Sequence, residues 1–388
     1  MSHWLLTEKH EKLRNDVRQF VREDIVPYVE EWEKEGEFPR ELFCRLGEAG
    51  FFGLKFPREY GGNGVDYVAE TIFLEELAKC GSGGISFSIT AHSELALLYV
   101  SEYGNEEQKQ RFLVPGIRGD KVGCLGVSEA NAGSDVAAME AMATSDNNYY
   151  VLNGSKLFIT NGAKADFACV AVKTQRNAGR HGISLIVVEK GTPGFSVSRK
   201  LDKVGLRVSD TTELIFTDCR VPKENLLGRE NEGFYYIMRN FTWERIAIAA
   251  FSLGAAELVL EDTLEYVNQA QRNGRLPSAS ETVRCKLADM ATAIEVARAI
   301  TYYALMLFSQ GISVSKEASM AKLLATEICC QVSDEALQLC GNDGYMSECP
   351  IQRYWRDNRF YPIGGGTSEV MKDIIARCLG IGKKRWER

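Results

Sequence analysis

The chain has 388 residues, 45% of them hydrophobic and 26% charged, a composition that excludes a disordered or fibrous protein. Its 46 basic against 53 acidic residues leave a net charge of −7, which argues against non-specific nucleic-acid binding. At about 150 residues per domain the length predicts two or three domains, with core enough to need no disulfide or metal staple.

The first residues, MSHWLLTEKHEKLRNDV, carry no secretory-signal pattern and too many acidic side chains for a transit peptide, so a cytoplasmic chain is expected. Residues 7–120 read as helical, with Leu13, Val17, Phe20, Val21 and Ile25 recurring at helical spacing between charges. The segment Phe56–Gly62 punctuates them as a loop, and helical patterns resume at about 67–82 and 92–117. The texture changes near Lys121. Two apolar runs flank Asn153-Gly154, the strongest short hairpin signal, and strand-like runs follow at Phe167–Val172, Ile183–Val188, Phe195–Val197 and Glu213–Phe216. Short strands with no helix between them predict a small antiparallel barrel or sandwich. From Glu232 to about Leu379 the helical period returns, interrupted at Gly274–Ser280 and Gly341–Pro350. The expected division is a helical domain over 1–120, a β domain over 121–230 and a helical bundle over 231–388.

No uninterrupted apolar run reaches about 18 residues, so no membrane span is expected. Of the eleven cysteines, Cys329 and Cys330 are adjacent and no Cys-x-x-Cys pair exists. With only four histidines no zinc ligand set assembles, so small apolar thiols in a reducing cytosol are the expectation.

Three segments carry chemistry. The loop Gly126–Asp135 (GVSEANAGSD) sets Ser128 and Ser134 beside free N–H groups, with Gly133 allowing close backbone approach. It suits a phosphate or the edge of a polar heterocycle, although on texture alone a plain Asx/Gly turn is the simpler reading. No Gly-x-Gly-x-x-Gly follows a strand and no P-loop motif is present. Glu244-Arg245 opens the apolar run Ile246–Phe251, with Ile248 and Phe251 one and two helical turns beyond the carboxylate. A carboxylate there is desolvated, which raises its pKa and makes it a better base; a structural ion pair fits the same residues. Pro362–Ser368 sets three glycines before a helical pattern, with Thr367 or Ser368 as N-cap, leaving N–H groups free for an anion or a carbonyl oxygen.

Together these segments resemble the acyl-CoA dehydrogenase family over essentially the whole chain. Gly126–Ala138 fits the family's first signature at every position, and Gln338–Asp357 (QLCGNDGYMSECPIQRYWRD) fits the second except at Asn342. Asn153-Gly154-Ser155-Lys156 with Phe158–Gly162 is also typical. The resemblance implies an N-terminal helical domain, a middle β-barrel domain and a C-terminal four-helix bundle, with FAD, an acyl-CoA substrate, a homotetramer and an electron-transferring flavoprotein as electron acceptor. It implies that Leu125, Val127, Ser128, Gly133, Ser134, Phe158 and Thr160 contact flavin. Gln338, Gly341, Thr367 and Glu369 would do so partly across a subunit interface, and Ser134, Arg245 and Gly364 would contact substrate.

Most relatives place the catalytic Glu where this chain has Gly365, which has no side chain to take a proton. The isovaleryl-type and long-chain-type enzymes instead carry it on a bundle helix, in a pattern that Glu244-Arg245 matches. The resemblance therefore implies α,β-dehydrogenation with Glu244 as base and the Gly365 N–H on the thioester oxygen. An Arg-x-x-Phe-Gly segment of most relatives, which reaches a neighbouring subunit's FAD, is altered here: Ala270 and Asn273 replace the Arg and Phe, Gly274 is kept, and Arg272 or Arg275 stands nearby. Rival readings are an acyl-CoA oxidase-like or flavin monooxygenase relative, and a non-catalytic acyl-CoA-binding homologue. The acyl group, whether branched, alicyclic or long-chain, is left open.

Overall fold

The computed structural model describes residues 5–64, 66–272 and 280–382, with side chains except at Gln271 and Arg272. The expected break at 274–279 and the positions Asn273, Gly274 and Arg275 lie outside the described residues.

The first block holds α1 (Glu8–Phe20), α2 (Val29–Glu35), α3 (Glu41–Glu48), α4 (Tyr67–Ala78), α5 (Gly83–Thr90), α6 (Leu98–Tyr103), α7 (Glu106–Gln108) and α8 (Val114–Ile117). Thr7 and His10 form a capping box on α1, and Val17, Val21 and Ile25 bury the stripe that their spacing predicts. Helix α4 is capped by Asp66 and is buried from Val68 to Ala78, so its acids must be paired. Glu75 and Glu76 meet Arg14, Arg18 and Arg298. Helix α5 was not expected, because Ile, Ser and Thr over 85–90 hide the helical period. Its start depends on small residues: a Cβ on Gly84 would lie 2.6 Å from Val208 Cγ1.

The strands are β1 (Gly123–Gly126), β2 (Met142–Asp146), β3 (Tyr149–Thr160), β4 (Phe167–Lys173), β5 (Ile183–Glu189), β6 (Phe195–Val197), β7 (Thr211–Pro222) and β8 (Leu226–Leu227). They form one sheet in the order β6-β7-β3-β2-β4-β5-β8, with β1 also on β4. Pairing is antiparallel except where β1 and β2 meet β4 in parallel, so the sheet is mixed rather than wholly antiparallel. The hairpin expected at Asn153-Gly154 is corrected. That dipeptide lies inside β3 as a bulge, and the tight turn is Asn147-Asn148, with Asn147 at φ 49°. Gly154 is needed because a Cβ there would stand 2.8 Å from Ala141 Cα, and Asn153 is tied up by hydrogen bonds with Asp218.

The last block holds α9 (Gly233–Arg272), α10 (Glu281–Ser309), α11 (Ser315–Gly344), α12 (Pro350–Asn358) and α13 (Ser368–Cys378). Helices α9, α10 and α11 pack on one another, α12 and α13 pack on α11, and α4 packs on α9. A break at Gln310–Val314, with Gly311 at φ 73°, was not read from the sequence. The expected break at Gly341 is a kink at φ 60° and ψ −135°, after which the helix runs on to Gly344. Among the described residues α10 is the one helix long and apolar enough to cross a membrane by length and composition, but Glu295 and Arg298 interrupt it, and Arg298 pairs with Glu75 and Glu257. The eleven cysteines are unpaired, and no cluster of metal ligands occurs among the described residues.

Candidate active site

Glu244 sits on α9 with 5% of its surface exposed. Its Oε1 accepts a hydrogen bond from Tyr99 Oη at 3.3 Å, across from α6. Burial pushes its carboxyl from 4.5 up to about 8; the Tyr99 hydroxyl and Arg245 oppose the rise, and the Glu94 charge adds to it. The preceding residue, Trp243, is buried against Tyr67 and Phe308, and its indole donates to Glu94 Oε2 at 2.6 Å. Lys55 reaches Glu94 from the other side and lies 3.5 Å from Glu70, a buried carboxyl that desolvation and Glu94 push well up. The Glu244 carboxylate thus stands on a helix face whose polar neighbours are fixed, in a site where its charged form is costly.

Gly365 faces the same turn of α9. Its φ is +64°, in the left-handed region that favours glycine, and a Cβ there would lie 2.1 Å from Ile248 Cδ1. Ile248 is one helical turn beyond Glu244, so it stands where a residue-365 side chain would begin. Phe251, a further turn on, meets the Tyr361 ring edge-on at 5.0 Å and closes the contact between α9 and the glycine segment. Gly364 N–H donates to Phe360 O at 3.0 Å and Ser368 N–H to Pro362 O at 3.0 Å, whereas the N–H of Gly365 makes no hydrogen bond to a described residue. Thr367, not Ser368, is the N-cap of α13, accepting from Val370 N. Arg245 is buried with its Nε unpartnered; burial lowers its pKa and the Glu244 charge opposes that.

The polar loop is built on β1 and β3. Lys156, fully buried in β3, donates to Glu129 Oε1 at 2.6 Å and to Val127 O at 3.2 Å. Glu129 also accepts from Glu140 N and Ala141 N, and Leu157 N donates to Ser128 O at 2.8 Å. Val127 and Ser128 are thereby brought beside Phe158, while Leu125 pairs with Cys169 of β4. Glu129 and Ala132 exchange backbone bonds, while the N–H groups of Ser128, Gly133 and Ser134 make none to a described residue. Phe158 is 66% exposed at φ +63°, a strained backbone that holds an aromatic face outward, and Thr160 pairs with Thr211. Free N–H groups, two hydroxyls, an open Gly133 and an exposed ring fit the edge and face of a flavin.

The structure does not bring all the expected flavin residues together. Gln338 and Gly341 lie at the far end of α11, where Tyr266 Oη donates to Cys340 O at 3.1 Å. Lys322 of α11 donates to the Gly366 carbonyl, and Gln338 lies sixteen positions further along the same helix, about 24 Å, so it stands well away from the glycine segment and from Thr367 and Glu369. Ala270, at the interface-Arg position, is buried in the last turn of α9. Sequence reading missed Tyr99, Glu129 as a strut, and the buried state of Lys156. The signals were a tyrosine within the apolar run Leu95–Val100 and a lysine at an inward position of a strand.

The Lys156 strut gives a test. Lys156→Met leaves the Glu129 carboxylate half-buried without its cation, which should cost about 3 kcal/mol of stability. The variant should unfold at lower temperature and retain less FAD through gel filtration than the wild type. Unchanged melting and flavin content would show that the loop holds its shape unaided.

A helical block, a β block and a helical bundle, with a desolvated carboxylate facing a glycine turn, define a three-domain enzyme fold. The chain belongs to the acyl-CoA dehydrogenase family. Models of the family's N-terminal, middle and C-terminal domains match residues 7–120, 124–219 and 231–380. The chain is 41% identical over 375 residues to the mitochondrial long-chain specific acyl-CoA dehydrogenase of Sus scrofa, covering 96% of this chain and 87% of that one. It superposes on the crystal structure of acyl-CoA dehydrogenase from Geobacillus kaustophilus with a TM-score of 0.93 and 40% identity, over 98% and 100% of the two chains. A chain from the structure described as the electron transferring flavoprotein of Acidaminococcus fermentans matches with a TM-score of 0.94 and 40% identity, over 97% and 99%.

Proposed function

We propose that the protein oxidises an acyl-CoA thioester to the 2-enoyl-CoA with Glu244 as the base. The observation that carries this reading is a buried, proton-seeking carboxylate on α9 facing a residue-365 backbone that has no side chain to do the same work. Glu244 takes the α-proton, and Tyr99 Oη steadies its Oε1. The Gly365 N–H donates to the thioester oxygen, where negative charge develops, and Arg245, Ser134 and Gly364 hold the substrate about that point. When bound, FAD supplies the two-electron acceptor for the β-hydrogen as hydride. Leu125, Val127, Ser128, Gly133, Ser134, Phe158 and Thr160 would hold it.

The same reading includes a homotetramer. Gln338 and Gly341 of one copy would then reach the flavin of another, with Thr367 and Glu369 also serving across the interface. The separation along α11 supports this, as does the exposure of Tyr345 and Met346 at its end. An electron-transferring flavoprotein is the proposed acceptor, supported by the likeness to the Acidaminococcus fermentans chain. The test is a panel of straight, branched, alicyclic and long-chain acyl-CoAs mixed with the flavin-loaded protein without oxygen. At least one class should bleach the flavin and yield the enoyl-CoA. A flavin-loaded protein that none of them bleaches would remove the activity.

A further inference from the structure

Lys322 is a fully buried cation on α11 that the chemistry above leaves unused. Its Nζ donates to the carbonyl oxygen of Gly366 at 2.6 Å. Among the described residues it forms no salt bridge. Burial and the nearby Arg245 charge pull its ammonium down to about 8, and Glu327 and Glu369 only partly offset this. A buried lysine is costly unless its donors are placed to some end. Both its protonated and neutral forms keep an N–H to give.

The contact falls where the turn is otherwise free. The segment's own bonds anchor Ile363 and Gly364 to Phe360, and Ser368 to Pro362. Between these anchors stand Gly365 and Gly366, at φ +64° and +95°, whose N–H groups make no hydrogen bond to a described residue. Glycines in this region rotate more freely than any other residue, so their plane must be held from outside. The bond on the Gly366 carbonyl supplies that hold: it fixes the peptide unit that Gly366 shares with Thr367, two units on from the one that carries the Gly365 N–H.

We propose that Lys322 is a positioning residue for dehydrogenation: its hydrogen bond to the Gly366 carbonyl sets the Gly364–Gly366 turn so that the Gly365 N–H meets the thioester oxygen as the enolate forms. The inference rests on the acyl-CoA reading above. An interaction that tightens in the transition state changes the limiting rate more than ground-state binding.

Lys322→Met removes the donor at similar volume, and Lys322→Gln keeps an N–H without charge. The readouts are FAD content, substrate Kd, the limiting rate of flavin reduction without oxygen, and the apparent pKa of a bound 3-oxoacyl-CoA. The last ligand enolises without hydride transfer and so reads oxyanion stabilisation alone. The Met variant should keep its FAD and hold Kd within about threefold, while the limiting rate falls roughly tenfold to a hundredfold and the ligand pKa rises. The Gln variant should recover most of that loss. A Met variant as fast as wild type, a loss confined to Kd, or a Gln variant as slow as the Met variant overturns the proposal. If the Met variant does not retain FAD, the Gln variant decides: slowing beyond about tenfold with FAD bound is the overturning result. A wild-type protein that no acyl-CoA reduces removes the activity itself, whatever the variants do; a wild type that is reduced, with unaffected variants, removes only the role of Lys322.

Discussion

Glu244→Gln should abolish flavin reduction by acyl-CoA, lowering the rate by about 10³–10⁴-fold while FAD stays bound, the scale expected when a positioned general base is removed. The amide fits the same space and can still accept from Tyr99 Oη, so the fold has no reason to change. In the wild type, kcat/KM for reduction should rise with pH and level off near the folded value of about 8, because only the deprotonated carboxylate takes the proton. Stability should run the other way. The folded carboxyl keeps its proton up to about 8, whereas the unfolded one loses it near 4.5. The contribution of this group is therefore fully present below the unfolded value and lost as pH rises through the window between them. At pH 9 the Gln variant should be more stable than the wild type, by an amount on the order of a few kcal/mol. Stopped-flow mixing without oxygen and thermal melts across pH measure both. Bleaching by the variant at near wild-type rate would sink the assignment of the base.

Moving the base to residue 365 should fail until Ile248 is shortened. The family resemblance implies that either position can hold the base, so Glu244→Gly with Gly365→Glu is the natural exchange. Two features of this chain oppose it. The backbone at Gly365 is left-handed, which costs a side chain roughly 1–2 kcal/mol, and the new Cβ would lie 2.1 Å from Ile248 Cδ1. Ile248→Val deletes that methyl group, at about 1 kcal/mol for the lost packing. The double mutant should therefore stay near the level of Glu244→Gly alone, and the triple mutant should exceed it by about tenfold, short of wild type because a base displaced by about 1 Å loses rate steeply. Straight acyl chains should recover more than branched or cyclic ones, since the new carboxylate takes up room beside the thioester. Turnover of an acyl-CoA panel by all three mutants is the measurement. A folded, yellow triple mutant no better than Glu244→Gly would show that the two positions do not share one α-carbon.

What the sequence alone determined is what depends on neighbours in the chain. The period of Leu13, Val17 and Phe20 announced α1 because one face of a helix repeats every three or four residues. Gly365 has no side chain, and with the family resemblance that alone moved the expected base to Glu244. The apolar run after Glu244 also announced desolvation. Local signals failed where two structures share one residue pattern. Asn153-Gly154 suits a turn and a bulge equally, and the approach of Ala141 to Gly154 decided for the bulge. Gly83-Gly84 falls between the expected helical stretches, yet it opens α5, where Asp357, Leu206 and Val208 leave no room for a Cβ. Only the tertiary structure joined Tyr99 to Glu244, 145 residues apart, and Lys322 to Gly366, 44 residues apart. Such pairs carry no periodic mark, since a buried polar group is satisfied by whichever donor or acceptor the packing of helices brings to it.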